Sequence, residues 1–183
     1  DSRKKPEKIS KFQNSLPDHS YLIENFTYHE SGNLACVKPR GSLASGDFLA
    51  KRSNEPYKRC AVLGNHYLLH RLIYKHQTGD EPEFIDHIDG DKHNNRIENL
   101  RPCTKSQNRA SSKLHAKNKS GVTGVYKFKD KWRVSYRGES GRMTTKLFCD
   151  LSEAIAFRIE YVDKEYADFS KRQIERAIKQ DSK

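Results

Sequence analysis

The sequence predicts an α+β chain in two parts: hairpins, strands and short helices come first, followed by a small three-stranded antiparallel sheet packed on one helix. Three observations predict this class. Short apolar and aromatic runs are separated by glycine- and asparagine-containing turns before residue 70. Three more strand-like runs follow residue 120. Apolar residues at helical spacing come after these runs.

A chain of 183 residues has room for two small domains, each with a modest core. Composition shifts along the chain predict where these domains begin and end. The predicted segments are a flexible tail (1–20), a first domain (21–115), a linker (116–120), a second domain (121–170) and a polar C-terminal helix or tail (171–183).

Two N-terminal hairpins are predicted in the first domain, with turns at Gly32 and Gly64. A short helix is predicted to begin near His70 and to end at Gly79. The predicted hairpin strands are residues 25–28, 34–37, 57–63 and 66–69.

The stretch from residue 84 to residue 108 carries the residues with catalytic chemistry. Asp86 and His87 follow two apolar residues, a pattern that predicts a strand. The sequence Asp89-Gly90-Asp91 is typical of a turn. Thr104 followed by Gln107 is a capping box, which predicts a helix from Thr104 with Asn108 in its first turn. The order strand, loop, strand and helix lets a carboxylate, an imidazole and a carboxamide converge.

These three groups are chemically sufficient to hydrolyse a phosphodiester. The pKa of a histidine is ordinarily about 6.5, so a histidine can act as a general base near neutral pH. Carboxylate and carboxamide oxygens suit a hard cation such as Mg²⁺, which neutralises developing charge on phosphate. A calcium-binding loop at Asp86, Asp89 and Asp91 is rejected, because the ligand spacing and terminal glutamate of such loops are missing.

From about Tyr57 to Ser112 the chain resembles the HNH endonucleases, specifically the phage and intron-encoded homing branch with the ββα-metal fold. The resemblance implies that His87 is the general base and that Asp86 and Asn108 hold one divalent metal ion, Mg²⁺ or Mn²⁺. It also implies that Asn99 fixes the loop and orients the histidine. The zinc-binding cysteine pairs of some relatives are missing here.

Two residues upstream of this motif have open roles. Arg71 is a candidate catalytic residue that clamps a phosphate near the scissile bond, or it frames the site together with His70.

Positive charge is concentrated in the second part of the chain. Twelve Lys and Arg residues and only two acids lie between Lys105 and Lys146, whereas the whole chain has a net charge of +11. A long segment of one sign predicts a polyanionic partner. In the run 131–137, lysine, serine and arginine alternate with apolar residues, which predicts a strand with one basic face. The run 142–147 was expected to add Arg142 and Lys146 to that face.

A helix is predicted from about Ser152, the expected N-cap, to Ala167, because its apolar residues recur at three- and four-residue steps. From Ser120 to about Phe169 the chain resembles the plant Apetala-type DNA-binding domain, through its Gly121-to-Val125 segment, Lys131-Trp132 and the Ala154-to-Ala156 helix. The resemblance implies double-stranded DNA as the partner. Alternation along the strand places Trp132 on the core side, so Trp132 is not counted among the DNA contacts. The implied DNA contacts are Tyr126, Lys131, Arg133, Arg137, Arg142 and Lys146.

The sequence therefore predicts a metal-dependent DNA endonuclease of the phage or homing type, with no small-molecule cofactor. No apolar run reaches the length of a membrane span, so no membrane partner is expected. The four cysteines are widely separated, which indicates that they act as small buried hydrophobic residues, although a Cys36–Cys60 disulfide is conceivable. An intracellular location follows, and the phage-type resemblance implies the cytoplasm of a bacterial host.

Two rival functions stay open at this point. One is a DNA-binding or phage-packaging accessory protein in which the HNH core serves only as a scaffold. The other is an RNA-directed nuclease, which is disfavoured because no aromatic-rich strand signature of an RNA-binding module is found.

Overall fold

The computed structural model describes residues 15–50, 55–111, 114, 118–138, 141–170 and 174–175. The chain divides into two compact units, residues 1–101 and residues 102–183. The boundary falls inside a strand, and it groups the helix that carries Asn108 with the C-terminal sheet. The expected linker at 116–120 begins outside the described residues, as do most of the predicted N-terminal tail and C-terminal helix.

The first unit consists of short helices and two-stranded sheets. Both predicted hairpins are present, with antiparallel pairing of β1 to β2 and of β3 to β4. A further sheet joins β5 to β6. The elements are α1 (His19–Asn25), β1 (Phe26–His29), β2 (Asn33–Cys36), β3 (Arg59–Val62), β4 (Asn65–Leu68), α2 (Leu69–Thr78), β5 (Phe84–His87), a 3₁₀ turn (Ile97–Asn99) and β6 (Leu100–Cys103), which crosses the boundary.

The predicted tail through residue 20 is wrong at its C-terminal end. Leu16 is buried, and α1 begins at His19 and buries Leu22 completely. These two leucines join the core of the first unit. The sequence pattern did not predict this helix because it is only seven residues long and one turn of apolar spacing is not a clear signal.

Helix α2 packs its apolar face into the core of the first unit. Leu69, Leu72 and Ile73 are fully buried on this helix. It ends at Gly79, which has the left-handed φ of 79° and donates its backbone N–H to the carbonyl of Lys75. Cys36 and Cys60 lie in the same core as free, buried thiols, so they act as small hydrophobes rather than as a disulfide.

The second unit contains the predicted three-stranded antiparallel sheet and its helix. The strand order is β7-β8-β9. The sheet packs on the last helix through a small core that contains Val125, Val134 and Ile155. The elements are α3 (Lys105–Ser111), β7 (Val125–Phe128), β8 (Lys131–Arg137), β9 (Met143–Phe148), α4 (Leu151–Tyr166) and a 3₁₀ turn (Ala167–Phe169).

The sequence predicts the N-terminal cap of α3 correctly and that of α4 incorrectly. The capping box before α3 is present: the Thr104 N–H donates to Gln107 Oε1 (2.7 Å) and the Gln107 N–H donates to Thr104 Oγ1 (3.2 Å). For α4, the expectation that Ser152 is the N-cap is wrong. Asp150 Oδ1 accepts the N–H groups of Ser152 (2.7 Å) and Glu153 (3.1 Å), because the helix begins one residue earlier, at Leu151.

The pairing register decides which side chains share a sheet face. Directly opposed residues of antiparallel strands lie on the same face. Lys146 is opposed to Val134, whose side chain is buried, and its Nζ lies 4.6 Å from the ring centroid of Phe157 on α4. The prediction that Lys146 shares a face with Arg133 and Arg137 is therefore wrong. The sequence of β9 predicts that its side chains alternate between the two faces. Which of them share a face with those of β8 depends on how the two strands pair.

The face of the sheet turned away from α4 is basic and partly apolar. Arg133 is opposed to Tyr126 on one side and to Leu147 on the other, and Arg137 is opposed to Met143. All three apolar residues are exposed, Met143 at 67%. Within the described residues, no helix is both long and apolar enough to cross a membrane.

Candidate active site

His87 is the last residue of β5 and is buried, with 4% of its surface exposed. Its Nε2 lies 2.9 Å from Oδ1 of Asn95, which is itself 1% exposed. An amide oxygen only accepts hydrogen bonds, so the proton of the neutral imidazole lies on Nε2. Nδ1 is then the basic nitrogen, as a general base requires.

A network of asparagine and aspartate side chains fixes the loop between β5 and β6. Asn99 Oδ1 accepts the backbone N–H of Asp89 (3.0 Å). Asn99 Nδ2 donates to Asp89 Oδ1 (2.9 Å) and to the Asn94 carbonyl (2.8 Å). Burial alone would raise the pKa of the Asp89 carboxyl, but hydrogen bonds to it from the side chains of Asn94 (2.7 Å) and Asn99 hold this pKa below its usual range. Asn99 therefore closes the loop, whereas the contact with His87 comes from Asn95.

The first hairpin positions the segment that contains Asn95. Gly32, in the turn between β1 and β2, has a φ of +75° and lies against this segment so closely that a Cβ would stand 2.6 Å from the Asn95 carbonyl carbon and from the Arg96 nitrogen. Tyr28 on β1 accepts the backbone N–H of Ile97 through its hydroxyl (3.1 Å). The hairpin therefore holds the loop at Asn95 and at the two residues that follow it.

Aromatic rings surround His87 on another side. The ring centroids of His70 and His87 are 5.2 Å apart, and that of Tyr57 lies 5.3 Å from His70 and 6.2 Å from His87. The Lys92 ammonium lies 4.5 Å from the Tyr57 ring. Burial is the main cause that lowers the pKa of His70 to about 3, with smaller electrostatic contributions from His87 and Arg71. His70 is therefore a neutral packing partner of His87 at physiological pH.

Asp86 precedes His87 on β5 and is 6% exposed. Its Oδ2 accepts two hydrogen bonds from Arg101, from Nε at 3.1 Å and from Nη2 at 2.8 Å. This two-pronged contact provides a counter-charge for a buried carboxylate, which would otherwise be costly to keep ionised. Asp86 is thus paired with Arg101 directly before the candidate base on β5.

The remaining predicted residues of the motif are placed differently. Arg71 on α2 donates from Nη1 to the Glu83 carbonyl (3.0 Å), and its Nη2 lies 3.7 Å from Glu81 Oε1. It is thus engaged with the segment between α2 and β5. Asn108 lies on α3, the helix that the capping box predicted, and this helix belongs to the second unit rather than to the first domain, where the sequence placed it.

The structure places His87, His70 and Asn99 in the same part of the first unit, and it adds residues that the sequence reasoning missed. Asn95, Arg101 and Tyr57 each contact a member of the motif directly. The adjacent asparagines at positions 94 and 95 gave only a weak indication that Asn95 belongs to the site. For Tyr57 and Arg101 the sequence offered none, because their contacts depend on the fold.

In the second unit, the predicted DNA contacts fall into two sets. Tyr126, Lys131, Arg133 and Arg137 share the sheet face turned away from α4. Arg133 is packed over the Phe128 ring at 5.2 Å. Arg142 is exposed just before β9, and Lys146 lies on the opposite face.

Residues 67–110 match the model of a family described as HNH endonuclease. The matched stretch runs from β4 through α2 and β5 to the end region of α3, and it contains the motif from Asp86 to Asn108. No curated protein and no solved structure matches the chain. The match covers about a quarter of the chain, and it supports a nuclease that acts on DNA.

Proposed function

We propose that this protein is a metal-dependent DNA endonuclease of the phage or homing type in which His87 is the general base. The observation that carries the proposal is the hydrogen bond between His87 Nε2 and Asn95 Oδ1 inside the HNH match. It leaves Nδ1 basic and fixes the plane of the imidazole. His87 would take a proton from a water molecule at Nδ1 as that water attacks the phosphorus atom.

Asp86 and Asn108 are the proposed ligands of one divalent cation, Mg²⁺ or Mn²⁺. Their carboxylate and carboxamide oxygens are hard donors that suit such an ion, and the buried carboxylate of Asp86 is positioned by its hydrogen bonds from Arg101. A bound cation would neutralise charge on the phosphate and on the leaving oxygen.

The other residues of the site have supporting roles in this proposal. Asn99 keeps the β5–β6 loop closed and so keeps Asn95 within reach of His87. Arg71 is proposed to contact a substrate phosphate, for which it would exchange its ion pair with Glu81. That pair is partly exposed and therefore weak, so the exchange costs little.

Double-stranded DNA is the proposed substrate, with the sheet of the second unit as a binding surface. The residues proposed to contact DNA are Tyr126, Lys131, Arg133, Arg137 and Arg142. Exposed apolar groups beside the arginines, such as Met143, suit the methyl groups of thymine in the major groove. Architecture supports this role, since a three-stranded sheet on one helix is what the Apetala-type resemblance implies.

A plasmid-cleavage assay tests the proposal. We expect the wild-type protein to cut supercoiled DNA with Mg²⁺ and not in EDTA. Loss of a general base costs about 10²–10⁴-fold in rate, so His87→Ala should cut at least about 100-fold more slowly. His66→Ala, an exposed histidine of the same unit, is the matched control and should keep full activity.

The DNA affinity of the His87→Ala variant, measured in EDTA, should equal that of the wild type, because a neutral imidazole adds little to binding. Cutting at the wild-type rate in EDTA, or by His87→Ala, would contradict the proposed mechanism. DNA binding without any cleavage would instead favour the accessory protein.

A further inference from the structure

The second unit contains a pocket of about 170 Å³ between the first turns of α3, the start of β7, the end of β8 and α4. Among the described residues that line it, three are arginines, Arg109, Arg137 and Arg158, and none is an aspartate or a glutamate. Serine and tyrosine hydroxyls supply most of the remaining polar lining. Its chemistry is thus that of a site for an anion.

Arg158 is the unusual member of this set, because it is 92% buried, being only 8% exposed. Its Nε donates to the Thr123 carbonyl (2.9 Å) and its Nη1 to the Ser135 carbonyl (3.1 Å). Within the part of the chain that the structure describes, Nη2 has no hydrogen-bond partner and no carboxylate lies within ion-pair distance. Burial lowers the pKa of this guanidinium, so the charged form is held at a cost that an anion would offset.

The surroundings hold the Arg158 guanidinium in one place. Gly124 has a φ of +90°, and a Cβ there would stand 2.9 Å from both Cζ and Nε of Arg158. The guanidinium therefore lies flat against this turn. A donor group that is fixed before the ligand arrives loses little entropy on binding.

We infer that this pocket binds a phosphate group, and that the phosphate is a phosphodiester of the DNA backbone. Guanidinium groups are suited to phosphate by charge and geometry. The pocket is also smaller than the roughly 300–1,000 Å³ of sites for drug-sized ligands, so it fits a single small group.

DNA is favoured as the source because the pocket is continuous with the proposed DNA-binding face. Tyr126 and Arg137 line the pocket and also belong to that sheet face. The inference therefore rests on the proposed binding of DNA, but not on the proposed cleavage chemistry.

Two exposed cations on α3 provide a matched test of this inference. Arg109 lines the pocket and Lys105 does not. DNA affinity of the full chain is measured in EDTA over a salt series for the wild type, Arg109→Gln and Lys105→Gln. Each lost phosphate contact flattens the log–log salt slope by about 0.9, so we expect that change in Arg109→Gln and the wild-type slope in Lys105→Gln.

NMR of the arginine Nε–H groups reports on the pocket itself. The Arg158 signal is identified by its absence in Arg158→Lys. We expect a DNA duplex to shift this signal in the wild type and in Lys105→Gln, and to shift it much less in Arg109→Gln. Inorganic phosphate is the second probe and should shift it only weakly.

Three results would overturn the inference. Saturation of the Arg158 shift by inorganic phosphate, with an unchanged salt slope in Arg109→Gln, would assign the pocket to free phosphate. Equal slopes in the two glutamine variants, or an Arg158 signal that DNA does not move, would leave Arg158 as a structural tie between α4 and the sheet. Because every measurement is made in EDTA, a failure to cleave DNA contradicts only the proposed catalytic function.

Discussion

His87 in the first unit is buried and bonded to a buried amide, whereas Lys131 and Arg137 on the sheet of the second unit are exposed. The two regions therefore depend on different physical quantities. A proton acceptor works only in one orientation, so its surroundings must fix it. A cationic surface attracts phosphates through its summed charge, which tolerates motion of individual side chains. Substitutions should consequently act through geometry in the first unit and through charge in the second.

The largest effect is expected from adding one methyl group at Gly32. Gly32→Ala and Gly64→Ala share the strain of a left-handed residue, about 1–2 kcal/mol, because their φ angles are +75° and +76°. Only Gly32 has the Asn95 backbone 2.6 Å from its Cβ position, which adds about 1–3 kcal/mol of overpacking.

Urea unfolding and single-turnover cleavage measure this difference. We expect Gly32→Ala to be the less stable variant and, where folded, to lose kcat without losing DNA affinity. Gly64→Ala should keep its kcat, since nothing lies within 4 Å of its Cβ position. Equal kcat values in the two variants would show that the hairpin does not position the base.

A second test concerns the buried His70, whose pKa is about 3 in the folded chain and about 6.5 when unfolded. Between these values the unfolded chain binds a proton that the folded chain does not. The contribution of the neutral His70 to the free energy of unfolding is therefore fully present above about pH 6.5. It is lost progressively as the pH drops towards 3. At pH 5 the loss from this group is about 2 kcal/mol, since each unit is worth about 1.4 kcal/mol.

His70→Gln should remove that part of the pH dependence. Denaturant unfolding of the wild type and of this variant at pH 7.5 and pH 5 measures it, with the exposed His66→Gln as the control. We expect a smaller loss of stability at pH 5 in His70→Gln than in the other two proteins. The same loss in all three would mean that His70 is protonated in the folded state.

The smallest effect is expected from single charges on the sheet. Arg133→Gln and Lys146→Gln each remove one cation, from the face turned away from α4 and from the face that packs on it, respectively. The salt slope of DNA affinity should flatten by about 0.9 in Arg133→Gln if that arginine contacts a phosphate, and should stay unchanged in Lys146→Gln. Equal slopes in the two variants would contradict the assignment of the binding face.

Local signals in the sequence determined several elements of this protein. The capping box of Thr104 and Gln107, the strand that ends at His87 and the hairpin turns at Gly32 and Gly64 depend on residues that are close along the chain. Spacing and residue type are enough for such features. The order of the HNH motif likewise predicted the resemblance from about Tyr57 to Ser112, within which residues 67–110 match the HNH endonuclease family model.

Tertiary structure decided which residues meet across longer separations. It formed the hydrogen bonds between three pairs of residues that are distant along the chain: Asn95 and His87, Arg101 and Asp86, and Tyr28 and Ile97. It also determined the sheet face on which Lys146 lies. Periodicity along one strand leaves its phase against the neighbouring strand open, because a shift of one residue exchanges the two faces. That phase is set by burial of Val134 and by the rings of α4, which are contacts between distant parts of the chain.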